Sequence, residues 1–311
     1  MLNSTDRMKV LSVVRPLNLL FLAGVQSIIH FGLLVPANAD LALDLSGFML
    51  LVLSSVLIAA GGYTLNDIQD QVIDQVNRPG TNAVGNGLSE RQANNLYIGL
   101  TTSGVAIGFY LSQLIDRPVF ATVFVGVAAL LYAYSIYFSA KLLLGNLLIS
   151  LLVAMGLIVV PIFDLVPTTD WSNRQWHASL FRLVLLFSAL AFLLNFIREI
   201  VKDQQDLEGD RAAGRRSMPS ILGQKRTNML VVLLMVILIL AICGYLYIQL
   251  YQDTLVLAYF FLGVISPLTF LAIRVWHARD PQDYAVLSNL LKLIMLTGML
   301  GMLAYPLVVW K

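Results

Sequence analysis

Nine near-continuous apolar runs divide the chain, separated by short polar connections. As helical spans they cover residues 16–36, 46–66, 90–112, 119–138, 141–161, 178–201, 227–250, 254–275 and 284–309, each about twenty residues, the length a bilayer requires of a helix. Polar and apolar positions do not alternate within a run, so helices are expected rather than the strands of a membrane barrel. The pattern predicts an all-α, multi-pass integral membrane protein. No connection is low in complexity and no soluble segment separates from the rest, so residues 1–311 are expected to form one transmembrane domain. The stretch up to Arg15 is too polar for the core of a cleavable signal, and the first run is expected to stay in place as a span.

Composition narrows the class. Of 311 residues, 58% are hydrophobic and 12% charged, where a soluble domain carries about 25% charged residues. Mean hydropathy is +0.79. A net charge of +2 leaves no nucleic-acid footprint. The single cysteine, Cys243, lies inside an apolar run, which excludes an intrachain disulfide and a cysteine metal site. His30, His177 and His277 are scattered, form no histidine metal motif and are expected in packing or surface roles.

The basic residues are distributed unevenly. Arg7, Lys9, Arg15, Arg78, Arg91, Lys141, Lys202, Arg211, Arg215, Arg216, Lys225, Arg226, Arg274 and Arg279 fall at the N-terminus or in even-numbered connections, and Arg117, Arg174, Arg182 and Lys311 on the other side. The positive-inside rule then predicts a cytoplasmic N-terminus and an external C-terminus.

Two acidic clusters end the second and sixth runs, Asn66 to Asp74 and Glu199 to Asp210. Carboxylates are costly at a membrane edge. One such cluster is ordinarily a solvated helix end; two at equivalent places imply use. Each is followed by a similar opening of the next run, Leu88-Ser89-Glu90-Arg91-Gln92 and Leu222-Gly223-Gln224-Lys225-Arg226. This weak internal repeat predicts a pseudo-twofold arrangement that brings the clusters face to face on the cytoplasmic side.

If each span runs on helically, Asn66, Asp70 and Asp74 share one stripe with Asp67 beside it, and Glu199, Asp203, Asp206 and Asp210 share another. Such carboxylates repel one another unless a cation lies among them, and hard oxygen ligands suit magnesium, which is commonly completed by substrate phosphate oxygens. Arg198 and Lys202 flank the second cluster, Arg78 follows the first and Lys141 opens the fifth span. Cations beside metal-binding carboxylates point to a bound diphosphate. Arg215 and Arg216 read as topology or lipid-headgroup residues, Lys292 as a candidate cavity residue that could equally snorkel. Tyr132, Tyr134, Tyr137 and Phe138 read mainly as packing and interface aromatics.

These motifs resemble those of the UbiA superfamily of intramembrane prenyltransferases. Its NDxxDxxxD motif is matched by Asn66, Asp67, Asp70 and Asp74, and its DxxxD motif by Asp206 and Asp210, preceded by Asp203. Arg15-Pro16 with Asn18, and Tyr134-Ser135 with Lys141, Gly145 and Asn146, resemble two further family segments. The resemblance spans nearly the whole chain. It implies about nine helices around a central apolar cavity, in a prokaryotic cytoplasmic membrane. It implies that Asn66, Asp70, Asp74, Asp206 and Asp210 hold magnesium with the diphosphate. Asn18, Asp67, Arg78, Lys141, Arg198 and Lys202 are then expected to bind substrate. Asp74, Glu199 and Asp203 become candidates for handling the acceptor's proton. The implied reaction is ionisation of an isoprenyl diphosphate and attack by a lipid or aromatic acceptor.

Arg198 to Asp210 is most similar to the branch that prenylates geranylgeranylglycerol phosphate in ether-lipid synthesis. The first motif departs from the aromatic-acceptor pattern: Asn77-Arg78-Pro79 runs into Gly80-Thr81-Asn82-Ala83 rather than a Pro-Ser-Gly turn. Aromatic prenylation in quinone synthesis is the alternative. An ion-coupled transporter is the alternative of another class; it would more often place its ionisable groups at the bilayer midplane on broken helices.

Overall fold

The computed structural model describes residues 12–309 except Arg78. Arg78, Arg7, Lys9 and Lys311 therefore lie outside the described residues. The helices are α1 (Pro16–Leu34), α2 (Leu45–Gln69), α3 (Gln71–Asn77), α4 (Glu90–Leu114), α5 (Pro118–Phe138), α6 (Leu144–Asp164), α7 (Arg174–Gln205), α8 (Leu207–Ala212), α9 (Met218–Leu222), α10 (Gln224–Gln249), α11 (Thr254–His277) and α12 (Pro281–Leu307). The β pairing among the described residues is an isolated Val84–Leu88 bridge.

Among the described residues, eight helices are long and apolar enough to cross a membrane: α1, α2, α5, α6, α7, α10, α11 and α12. The expected count of nine is corrected to eight candidates. The segment 90–112 does form a helix of sufficient length, α4, but Asn94, Asn95, Thr101, Thr102 and Ser103 thin its apolar content. Its character follows from its partner. α4 lies along α2, and a methyl group on Gly104 would come within 2.7 Å of Ile58 Cγ1 and 3.0 Å of the Ser54 carbonyl oxygen. The Ser54 hydroxyl donates to the Gly104 carbonyl at 2.7 Å. Small and hydroxylated residues allow this close approach, as they do between helices in membranes.

The two motif helices do not run on unbroken, which corrects the simple stripe picture. α2 stops at Asp70 (φ −92°, ψ 7°) and α7 at Asp206 (φ −96°, ψ 11°), and each resumes as a short helix, α3 or α8. Aspartate competes with the helical backbone for hydrogen bonds and suits such a break. The bonds nevertheless cross it: Asp70 N–H to Asn66 O, Asp74 N–H to Asp70 O, Asp206 N–H to Lys202 O and Asp210 N–H to Asp206 O, at 2.8–3.0 Å. One-turn spacing of the motif residues thus survives the bend.

The core behind the site is apolar and is crossed by a few polar pins. Tyr284 is fully buried and donates to Asn228 Oδ1 at 3.0 Å, and Gln204 donates to the same oxygen at 2.7 Å. These bonds tie α12, α10 and the end of α7 together. At the opposite ends of α1 and α6, His30 Nδ1 meets Asp164 Oδ2 at 2.7 Å, with the His30 ring stacked on Phe48. His177 bonds Thr169 at 2.9 Å. Both histidines have packing roles away from the acidic clusters.

Candidate active site

α1, α2, α5, α6, α7 and α12 surround two connected chambers. The first is polar, about 530 Å³, and takes its walls from both acidic clusters. The second is mostly apolar, about 240 Å³, and extends among Phe21, Leu22, Ile58, Phe124, Leu152 and Met295. Arg15, Asn66, Tyr134, Arg198, Glu199 and Lys202 line both and form the waist between them.

The two motifs occupy facing walls of the polar chamber. Asn66, Asp67, Asp70 and Asp74 come from α2 and α3, and Glu199, Lys202, Asp203, Asp206 and Asp210 from α7 and α8. Lys141 and Arg198 join them. Asn18 lies instead in the apolar chamber, where its side-chain oxygen accepts from Lys292.

Most of these carboxylates are held by a neighbour. Arg15 reaches Asp67 at 2.5 Å from the cap of α1, where its backbone is left-handed (φ 52°) immediately before Pro16. A non-glycine residue in that region stores strain that the surroundings must hold. Asp70 is shared by Asn66 at 2.6 Å and by Arg215. Asn82 donates to Asp74 Oδ2 at 2.8 Å and to the Asp67 carbonyl at 2.9 Å. Asn146 donates to Asp203 at 2.8 Å. Arg198 pairs with Glu199 at 2.8 Å. Burial first, then the charges of Asp206 and Asp70, push the Asp210 carboxyl above its ordinary range against the pull of Arg215.

Four contributors escaped the sequence reading. Arg215, expected to be a topology residue, ion-pairs with Asp70, and Arg216 lines the same chamber; both assignments are corrected. Asn77 joins the short helices: its Nδ2 donates to the Asp206 carbonyl at 3.1 Å, and its Oδ1 accepts from the Gly209 N–H at 2.8 Å. Asn82 sits in the asparagine- and glycine-rich connection, whose composition was the available signal. Tyr134 is the member of the aromatic set at the waist.

Among the described residues, no three His, Cys, Asp or Glu side chains converge tightly enough to cage a single ion. The donor set still suits magnesium. It is all oxygen, split between two walls, and magnesium is ordinarily held by one or two carboxylates plus water and phosphate. Charge makes the same demand. With every group ionised, seven carboxylates face six basic side chains in the polar chamber, so a diphosphate requires added cations to enter.

Residues 27–296 match the profile of the UbiA prenyltransferase family. A digeranylgeranylglyceryl phosphate synthase of Korarchaeum cryptofilum is 33% identical over 257 residues, covering 80% of this chain and 82% of that protein. Two solved structures share the fold. One, of a digeranylgeranylglyceryl phosphate synthase in membranes, gives a TM-score of 0.61 at 20% identity over 97% of this chain and 99% of the other. The second, a UbiA homologue from Archaeoglobus fulgidus bound to GPP and Mg2+, gives 0.59 at 18% identity over 94% and 99%. With both motif walls enclosed in the matched region, and with a relative that shares a third of its residues across most of both lengths, this chain belongs to the UbiA prenyltransferase family.

Proposed function

We propose that this enzyme transfers a prenyl group from an isoprenyl diphosphate to the free hydroxyl of a glycerol-phosphate ether lipid, with magnesium as cofactor and the polar chamber on the cytoplasmic side. One observation carries the reading: a cavity walled by both acidic motifs and by basic side chains opens through a waist onto an apolar chamber. The printed function of the Korarchaeum relative supports the lipid acceptor, and the GPP and Mg2+ held by the Archaeoglobus homologue support the donor and the metal.

The donor's diphosphate occupies the polar chamber and its isoprenoid tail the apolar one. Lys141, Lys202 and Arg215 neutralise the charge that develops as the allylic carbon–oxygen bond breaks and its electron pair leaves with the diphosphate. Asn66, Asp70, Asp74, Asp206 and Asp210 would hold magnesium, which supplies further positive charge to the leaving group. The apolar walls keep water from the allylic cation. The acceptor hydroxyl oxygen then bonds to that carbon, and its proton passes to a carboxylate. Glu199 is the best placed of Asp74, Glu199 and Asp203, because it lines both chambers, whereas Asp74 and Asp203 line only the polar one and are held there by Asn82 and Asn146.

Purified protein with magnesium, geranylgeranyl diphosphate and a geranylgeranylglyceryl phosphate acceptor should release diphosphate and form a diether. EDTA should stop turnover and added magnesium restore it. Asp70→Ala and Asp206→Ala should each lower kcat by about a hundredfold or more. Full turnover by both variants would overturn the metal–diphosphate assignment. Product from aromatic acceptors alone would transfer the reading to quinone chemistry, and ion flux in liposomes without prenyl transfer would replace it with transport.

A further inference from the structure

Lys292 has no part in the steps above. Its ammonium bonds the Asn18 side-chain oxygen and lies 6.0 Å from the Phe21 ring centre. Both partners are neutral, and no ion pair among the described residues includes it. A charge on a membrane-spanning helix is costly and generally serves a partner.

That partner belongs in the apolar chamber, which Lys292 lines together with Asn18, Arg198 and Glu199. Arg198 is close enough to repel Lys292. Arg198 commits Nη1 to Glu199, while its Nε is buried with no partner. Two cations with unused donors therefore face one cavity, against a single carboxylate that is already engaged. Of the donor-site cations, Lys202 reaches both chambers, but Lys141, Arg215 and Arg216 line only the polar chamber, whereas Lys292 lines only the apolar one.

We propose that Lys292 and Arg198 bind the phosphate of the acceptor lipid, an anion distinct from the donor's diphosphate. This rests on the glycerol-phosphate reading above and deepens it. In a glyceryl monoether phosphate, the middle-carbon hydroxyl neighbours the phosphate-bearing carbon. A phosphate held by Lys292 and Arg198 then presents that hydroxyl to Glu199, the ion-pair partner of Arg198. The Asn18 amide fixes the direction of the lysine.

Steady-state kinetics with two acceptors test the assignment: geranylgeranylglyceryl phosphate and the same lipid without its phosphate. Lys292→Met should raise KM for the phosphorylated acceptor by about tenfold to a hundredfold, the weight of one charge-assisted hydrogen bond. It should leave KM for the dephosphorylated lipid and for the donor unchanged, so that the wild-type preference for phosphate collapses. Lys292→Arg should keep most of that preference. Removing a half-buried charge with no counterion does not itself threaten folding, and Lys292→Gln gives the same comparison in a polar side chain. An unchanged phosphate preference in the Met and Gln variants, equal loss for both acceptors, or a rise in donor KM instead, overturns the proposal. Wild-type enzyme that prenylates no glycerol-phosphate lipid overturns the function reading itself, an outcome visible before any variant is made.

Discussion

Arg215 links the two motifs across 145 positions of sequence by pairing with Asp70. In the proposed reaction its guanidinium meets the diphosphate's negative charge, so its removal should act on the transition state more than on substrate capture. Arg215→Met is expected to lower kcat by about a hundredfold to a thousandfold, while Arg211→Met, on an exposed residue of the same segment, leaves kcat unaltered. Comparable kcat for the two variants would remove Arg215 from the machinery. The contrast shows what spacing can reveal. Asn66, Asp70 and Asp74 repeat at one helical turn, so their common wall was legible. Arg215 follows Asp210 through the turn between α8 and α9, where no periodicity holds, and only the folded connection aims it at Asp70. Asn82 was hidden for the same reason: a loop residue gains its role from where the chain returns.

At the scale of elements, the site depends on how two short helices meet. α3 and α8 are too short to be stable alone, and Asn77 clamps them with two hydrogen bonds. Gly209 gives the Asn77 amide its room at the junction, because a methyl group there would fall within 2.7 Å of the Asn77 side-chain carbon and oxygen and force that amide to shift. Asn77→Ala is expected to cost about 1–3 kcal/mol by orphaning the Gly209 N–H and the Asp206 carbonyl. Gly209→Ala should cost a similar amount in the native background and distinctly less once Asn77 is alanine, since the clash partner is gone. Thermal or denaturant unfolding of the double-mutant cycle should therefore return a coupling of about 0.5–3 kcal/mol; additive effects would refute the clamp. Apolar periodicity located the long helices to within a few residues, because bilayer length and burial dictate them together. It missed the breaks at Asp70 and Asp206, which depend on local competition for backbone hydrogen bonds and on docking between α3 and α8.

For the molecule as a whole, the chambers bear on which way the chain faces. Basic residues that serve an active site would inflate a positive-inside count without setting orientation. Five of the cations on the expected cytoplasmic side, Arg15, Lys141, Lys202, Arg215 and Arg216, do line the polar chamber. Setting them aside leaves nine on that side against four on the other, so the bias persists without the site's own charges. The orientation also suits the proposed chemistry, because a soluble diphosphate made inside the cell leaves to the compartment the polar chamber opens on. In a Cys243→Ala background, Ala213→Cys in the connection after α8 should react with a membrane-impermeant maleimide only after the membrane is opened. Ser172→Cys, in the connection between α6 and α7, should react in intact cells. Both positions are exposed on the protein, so the membrane alone decides the difference. The reverse labelling pattern would invert the topology and place the polar chamber outside, where no cytoplasmic pool of isoprenyl diphosphate could reach it directly.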